Sequence, residues 1–160
     1  MLWTPWRPAG YAISVRVLGV DFGERRIGLA LSDVTATLAT PWRAVEASGS
    51  AAQVADLIVG EAERLASEDD GLAAIVVGLP RHLDGRPHEQ TTRVLAIVEA
   101  LWARTGIHVA LQDERLTSRE AERRLALREP DWRRRKARVD AAAAAIILQD
   151  YLDQRTGAGG

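Results

Sequence analysis

Three carboxylates stand where apolar segments meet polar ones: Asp21 after Val17-Leu18-Gly19-Val20, Glu114 just past His108 to Gln112, and Asp140 ahead of an alanine-rich run. Acids that close buried segments either turn outward or meet a partner. If the two strands are neighbours and the last helix starts over them, the three converge at one sheet edge. Like charges so placed repel unless a cation holds them, and carboxylate oxygens suit hard divalent ions such as magnesium or manganese. Two such ions can stabilise the attacking water and the leaving oxygen of a phosphodiester. Taken singly, Asp140 reads as a helix start favoured by the macrodipole, and Glu114 as a surface acid. Only the combination is informative. Spacing leaves Asp113 and Glu114 as alternatives, because successive strand residues point to opposite faces.

The elements that must position these acids follow from the apolar pattern. Residues 15–21 and 27–31 read as two strands of a hairpin joined through Gly23. A third strand near 38–45 contains Pro41, which suits an edge or a bulge. Ser50 to Gln53 has capping-box spacing, and Val54, Leu57, Ile58, Ala62 and Leu65 recur at helical intervals up to a stop at Gly71. Residues 73–77 are apolar on both faces, as a covered parallel strand would be. Gly78-Leu79-Pro80 is expected to break that strand into a polar loop reaching about Gln90. Further elements are a helix over 92–105 capped by Gly106, a strand over 108–112, a helix over 117–127, an arginine-rich loop over 129–136 and a final helix over 140–151. The order predicts an α/β fold with an antiparallel start and a parallel continuation. A loose extension over 1–14 and a flexible tail over 154–160 flank the single domain, 15–153.

The chain has 160 residues, enough for one domain with a sizeable core, and its 21 basic and 22 acidic side chains nearly cancel. The charge is segregated. Residues 115–138 hold nine arginines and one lysine against four acids, a balance of +6, so the remainder sums to −7. A positive stripe beside an acidic site suits a polyphosphate backbone. Arg115, Arg119, Arg134, Lys136 and Arg138 bracket Glu114 and Asp140, and Arg81 and Arg86 lie in the Gly78–Pro80 loop, where glycine lets backbone approach a ligand. Trp132 reads as an anchor of the basic segment, with base stacking the alternative. The absence of cysteine excludes disulfides, thiolate zinc sites and a cysteine nucleophile, and fits a reducing compartment; a cytoplasmic location is expected. The leader is broken by Pro5, Arg7, Pro8 and Gly10, so neither a signal peptide nor a membrane span is expected. His82, His88 and His108 lack zinc-like spacing. Asp21-Phe22-Gly23 is not a kinase motif, because no glycine-rich or catalytic loop accompanies it.

Four ordered segments, GVDFGERRIGLALSD (19–33), IVVGLPRHLDG (75–85), LQDERLTSREAERRL (111–125) and KARVDAAAAAIILQDYL (136–152), together resemble the YqgF family, also called RuvX. Its members are described as pre-16S rRNA nucleases and as similar to Holliday-junction resolvases. The resemblance implies a ribonuclease H-like fold, a five-stranded mixed sheet flanked by helices. It implies that Asp21, Glu114 and Asp140 are the metal-binding catalytic acids, which selects Glu114 over Asp113 by analogy. Related nucleases often carry a fourth carboxylate soon after the last, but five alanines follow Asp140 here. The expected activity is metal-dependent endonucleolytic cleavage of structured nucleic acid: precursor 16S rRNA ends, with ribosomal particles as partners, or a four-way DNA junction. A resolvase would be a homodimer, whereas an RNA trimmer can be a monomer. Two further classes compete: a phosphate-binding ATPase, since Asp21-Phe22-Gly23 in a hairpin also resembles the phosphate loop of actin-like folds, and a nucleic-acid-binding module without catalysis.

Overall fold

In the first strand, β1 (Arg16–Phe22), alternation sends Leu18, Val20 and Phe22 to one face and Val17, Gly19 and Asp21 to the other, and this split organises the whole domain. The computed structural model describes residues 15–23, 25–80, 89–114 and 131–158. β1 pairs antiparallel with β2 (Arg26–Ser32), and β2 pairs antiparallel with β3 (Ala39–Glu46). On the other side β1 pairs parallel with β4 (Leu72–Pro80), which pairs parallel with β5 (His108–Glu114). The sheet order is β3-β2-β1-β4-β5. Helix α1 (Ala51–Ser67) and helix α2 (Glu89–Arg104) cover one face, and helix α3 (Trp132–Ala158) covers the other.

The two antiparallel strands and their edge agree with the pattern read above. β3 is an outer strand, and its register skips Trp42, since Leu29 pairs with Arg43 and Ala30 with Pro41. The proline therefore lies on an edge and beside a bulge, where a missing N–H costs least. Ser50 and Gln53 form the reciprocal cap, with Gln53 N–H donating to Ser50 Oγ at 3.2 Å and Ser50 N–H donating to Gln53 Oε1 at 2.8 Å. After α1, Gly71 takes φ +59°, the left-handed turn that glycine permits.

Four elements depart from expectation at their ends. β4 does not break at Gly78 but runs to Pro80, because Gly78, Leu79 and Pro80 pair with Gln112, Asp113 and Glu114. Its pairing with β1 ends at Val20–Val77, so the proline interrupts no ladder on that side. β5 extends to Glu114, which is its last residue rather than one beyond it. α2 starts at Glu89 and not at Thr92. α3 begins at Trp132, so 132–136 is helix rather than loop, and it continues to Ala158, past Tyr151. No glycine or proline interrupts 132–156, and arginine, lysine and alanine all favour helix. The helix expected over 117–127 lies outside the described residues.

Candidate functional site

Asp21 is the penultimate residue of β1 and only 8% exposed, on the face that α3 covers. Its ladder partner across the hairpin is Gly28 of β2. Directly paired antiparallel residues share a face with Cα atoms about 5 Å apart. A methyl group at Gly28 would collide with the carbonyl group of Asp140, so the backbone of Asp140 rests on the residue opposite Asp21. Gly19, two residues before Asp21, does the same further along, where an added Cβ would lie 2.8 Å from Leu148 Cβ and 3.0 Å from the Ala144 oxygen. Glycines on the strands and alanines on the helix thus seat α3 low on the sheet, and Asp140 comes beside Asp21. One carboxylate oxygen of Asp140, Oδ2, is shielded from solvent.

Contrary to the expectation from the sequence, Asp140 does not open its helix. It is the ninth residue of α3, in the third turn, where the N-terminal dipole has faded. A capping role therefore does not account for it, and aspartate is a poor choice inside a helix. The packing against Gly28 is the reason its position matters.

Strand register separates Asp113 from Glu114. Gly78 pairs with Gln112 and Pro80 with Glu114, while Leu79, which packs against the α1/α2 core, pairs with Asp113. Position 114 thus belongs to the same sheet face as Ala110 and Gln112, the α3 face, and Asp113 to the other. The side chain of Glu114 lies outside the described residues. Among the described residues no three acids or histidines form a group able to hold a metal ion. Asp21 and Asp140 supply only carboxylate oxygens, a donor set that matches a hard divalent cation and not zinc.

The other expected site residues fall into three groups. Gly23 makes the β1–β2 turn, its N–H donating to the Arg26 oxygen at 2.9 Å, and Gly78 and Pro80 are strand residues at the same sheet edge. Arg134 and Arg138 are exposed on α3, one turn apart and just before Asp140. Lys136 and Trp132 lie in α3 with side chains outside the described residues, and Arg81, Arg86, Arg115 and Arg119 lie outside them altogether. Beside Arg138 runs an open groove of about 600 Å³ between α3 and the β3 edge, lined by Pro41, Trp42 and Ala142 among others.

Two contributors escaped the sequence reading. Gln90 of α2 donates from Nε2 to the Phe22 oxygen at 2.8 Å and so ties the end of β1 to the start of α2. Gly28 was hidden in an apolar strand; an isolated glycine inside such a run was the available signal of close backbone approach. At the opposite end of the sheet, His108 begins β5 with its pKa pushed below the ordinary value, first by burial and then by the Arg155 charge. Burial pushes the Tyr151 phenol up, although Arg155 donates to its oxygen at 2.8 Å.

A five-stranded mixed sheet in this order, with a long helix laying an acid against the end of β1, defines a ribonuclease H-like domain. Thermus thermophilus RuvC has this fold, aligning at TM-score 0.51 and 19% identity over 89% of this chain and 97% of that one. RuvC of the same organism in complex with a Holliday junction substrate aligns at 0.50 and 18%. The family model described as "RuvX: Holliday junction resolvase" matches residues 15–154. A protein of Chloroflexus aggregans named "Putative pre-16S rRNA nuclease" is 40% identical, covering 87% of this chain and 94% of its own. One of the same name from a Roseiflexus species is 41% identical, covering 88% and 95%. The chain belongs to the RuvX family.

Proposed function

We propose that this chain is a metal-dependent endonuclease that hydrolyses phosphodiester bonds of structured nucleic acid, with the ends of precursor 16S rRNA as its substrate. The observation that carries the reading is the seating of Asp140 on Gly28, the ladder partner of buried Asp21. Two acids brought to neighbouring positions at one end of the sheet offer the oxygen donors that a hard divalent cation takes. Family membership and the names of relatives at 40% and 41% identity support the activity.

In this reading Asp21, Asp140 and Glu114 hold magnesium or manganese, which when bound would activate water and stabilise the leaving oxygen. Asp21 is positioned by its pairing with Gly28 and by Gln90, which ties down the next residue, Phe22. Asp140 is positioned by the close seating of α3 on Gly28 and Gly19. Arg134 and Arg138 hold the substrate backbone, joined by Lys136, Arg115, Arg119, Arg81 and Arg86. Gly23, Gly78 and Pro80 shape the sheet edge that the substrate approaches. Residues 15–153 form the working domain. Among the described residues no helix is long and apolar enough to cross a membrane, and we place the activity in the cytoplasm, on ribosomal precursor particles.

The test is cleavage of precursor 16S rRNA by the purified protein with magnesium or manganese. Asp21→Asn, which keeps the size of the side chain, should abolish cleavage while the protein remains folded, as read by its thermal melt. Undiminished turnover by that variant would overturn the assignment. The family description favours one second reading, cleavage of a four-way DNA junction. That reading requires a dimer by native mass and symmetric nicks in junction DNA.

A further inference from the structure

At the depth of Asp21 one row of residues crosses all five strands on the α3 face. Ala44 pairs with Gly28, Gly28 with Asp21, and Gly78 with Gln112, while Val20 pairs with Val77, which sets Asp21 beside Gly78. The row thus runs Ala44, Gly28, Asp21, Gly78, Gln112, with its two long polar side chains on either side of a glycine. Two strand spacings separate their backbones, about 10 Å, and Gly78 places no side chain between them. α3 lies chiefly across β1, β2 and β3, which leaves Gly78 and Gln112 on the flank of the helix.

Gln112 is as buried as Asp21, each 8% exposed. Among the described residues no hydrogen bond holds its carboxamide, and neither amide atom is sealed from solvent, so the stem of the side chain is buried while its polar tip stays open at the flank of α3. An amide kept in such a place without a structural partner is available to a ligand. Its chemistry narrows the choice. A carboxamide donates and accepts at once, while a phosphate oxygen only accepts and is better met by the arginines of α3. A hydroxyl both donates and accepts, and the hydroxyl that a nucleic acid brings next to its phosphate is the ribose 2′-OH.

We propose that Gln112 contacts the ribose 2′-hydroxyl of the nucleotide seated over Gly78 beside Asp21, so that this site prefers RNA to DNA. The inference rests on the reading of the Asp21 edge as a nucleic-acid site. Its test is equilibrium binding of one stem-loop sequence synthesised in ribo and in 2′-deoxy form, measured in EDTA and again with calcium, so that turnover plays no part. The full-length protein should bind the ribo form about five- to tenfold more tightly, the range of one hydrogen bond. Gln112→Leu, close in size and free of the unpartnered amide, should keep its melting temperature and lose that preference by weakening the ribo form alone. A preference that persists in Gln112→Leu would come from helix shape and would overturn the inference, as would equal binding, or none, of the two forms by the unmodified protein. Ribo preference lost in Gln112→Leu, in a protein that cleaves nothing when magnesium or manganese is supplied, would sustain this contact and reject the nuclease instead.

Discussion

The two faces of the sheet are built from different residues. Under α1 and α2 the core is made of bulky side chains, among them Leu18, Ile27, Leu29, Ile58, Ile75, Ile97 and Leu101, all nearly inaccessible to water. Under α3 small residues stand where helix and sheet come closest, Gly19, Gly28, Ala30 and Ala74 from the strands and Ala144 and Ala145 from the helix, with Val17, Val76, Ile147, Leu148, Tyr151 and Leu152 completing that core. The first face buries much apolar area per residue and supplies the larger share of stability. The second gives up side-chain volume for proximity, and proximity is what puts Asp140 beside Asp21. One layer holds the domain together, and the other holds the acids in place.

Substitutions on the two faces should therefore fail differently. Ile58→Ala on the bulky face should lower stability by about 2–5 kcal/mol, the range for truncating a buried isoleucine. Where the variant remains folded, cleavage and metal dependence should be unchanged, as checked by denaturant unfolding beside a cleavage assay. Gly28→Ala on the small face should cost less, about 1–3 kcal/mol for overpacking. It should nevertheless remove cleavage, because the new methyl group displaces the Asp140 backbone. A Gly28→Ala protein that still cleaves at the unmodified rate would show that the seating of α3 does not matter to the site. The contrast would then reduce to core volume alone.

This asymmetry also explains what the sequence disclosed. The bulky face was legible because its residues repeat at strand or helix periods: β1, β2, β4 and both helices above them were anticipated to within a few residues. The edge position of β3 was legible from Pro41. The small face was not, because glycine and alanine carry little hydropathy signal, and Gly28 reads as an ordinary strand residue until a helix is known to cross it. The early start of α3 was missed because Arg133, Arg134, Arg135 and Lys136 show no apolar period, although their helix propensity favoured it. Between Asp113 and Glu114, alternation stated that the two differ in face but not which face receives α3. That assignment depends on β4 register, a tertiary fact.

The smallest expected effect concerns the sheet end remote from Asp21, where a titratable group serves no proposed chemistry. His108 opens β5 and pairs with Ala74, and Arg155 of α3 is the charge that acts on it. Burial and that guanidinium both disfavour the imidazolium, so the folded protein holds the ring neutral below its ordinary value of 6.5. The unfolded chain takes up the proton near that value, and across this window it binds more protons than the native state. Stability should accordingly decline as pH falls from about 7.5 through 6.5 and level off below the folded pKa. His108→Gln removes the titration and should flatten that part of the melting-temperature profile, with metal-dependent cleavage at pH 7.5 unaltered because the acid edge lies at the other end of the strands. An unchanged slope in His108→Gln would assign the pH dependence to other groups. A loss of cleavage would instead couple the two ends of the sheet, against the division of labour between its regions.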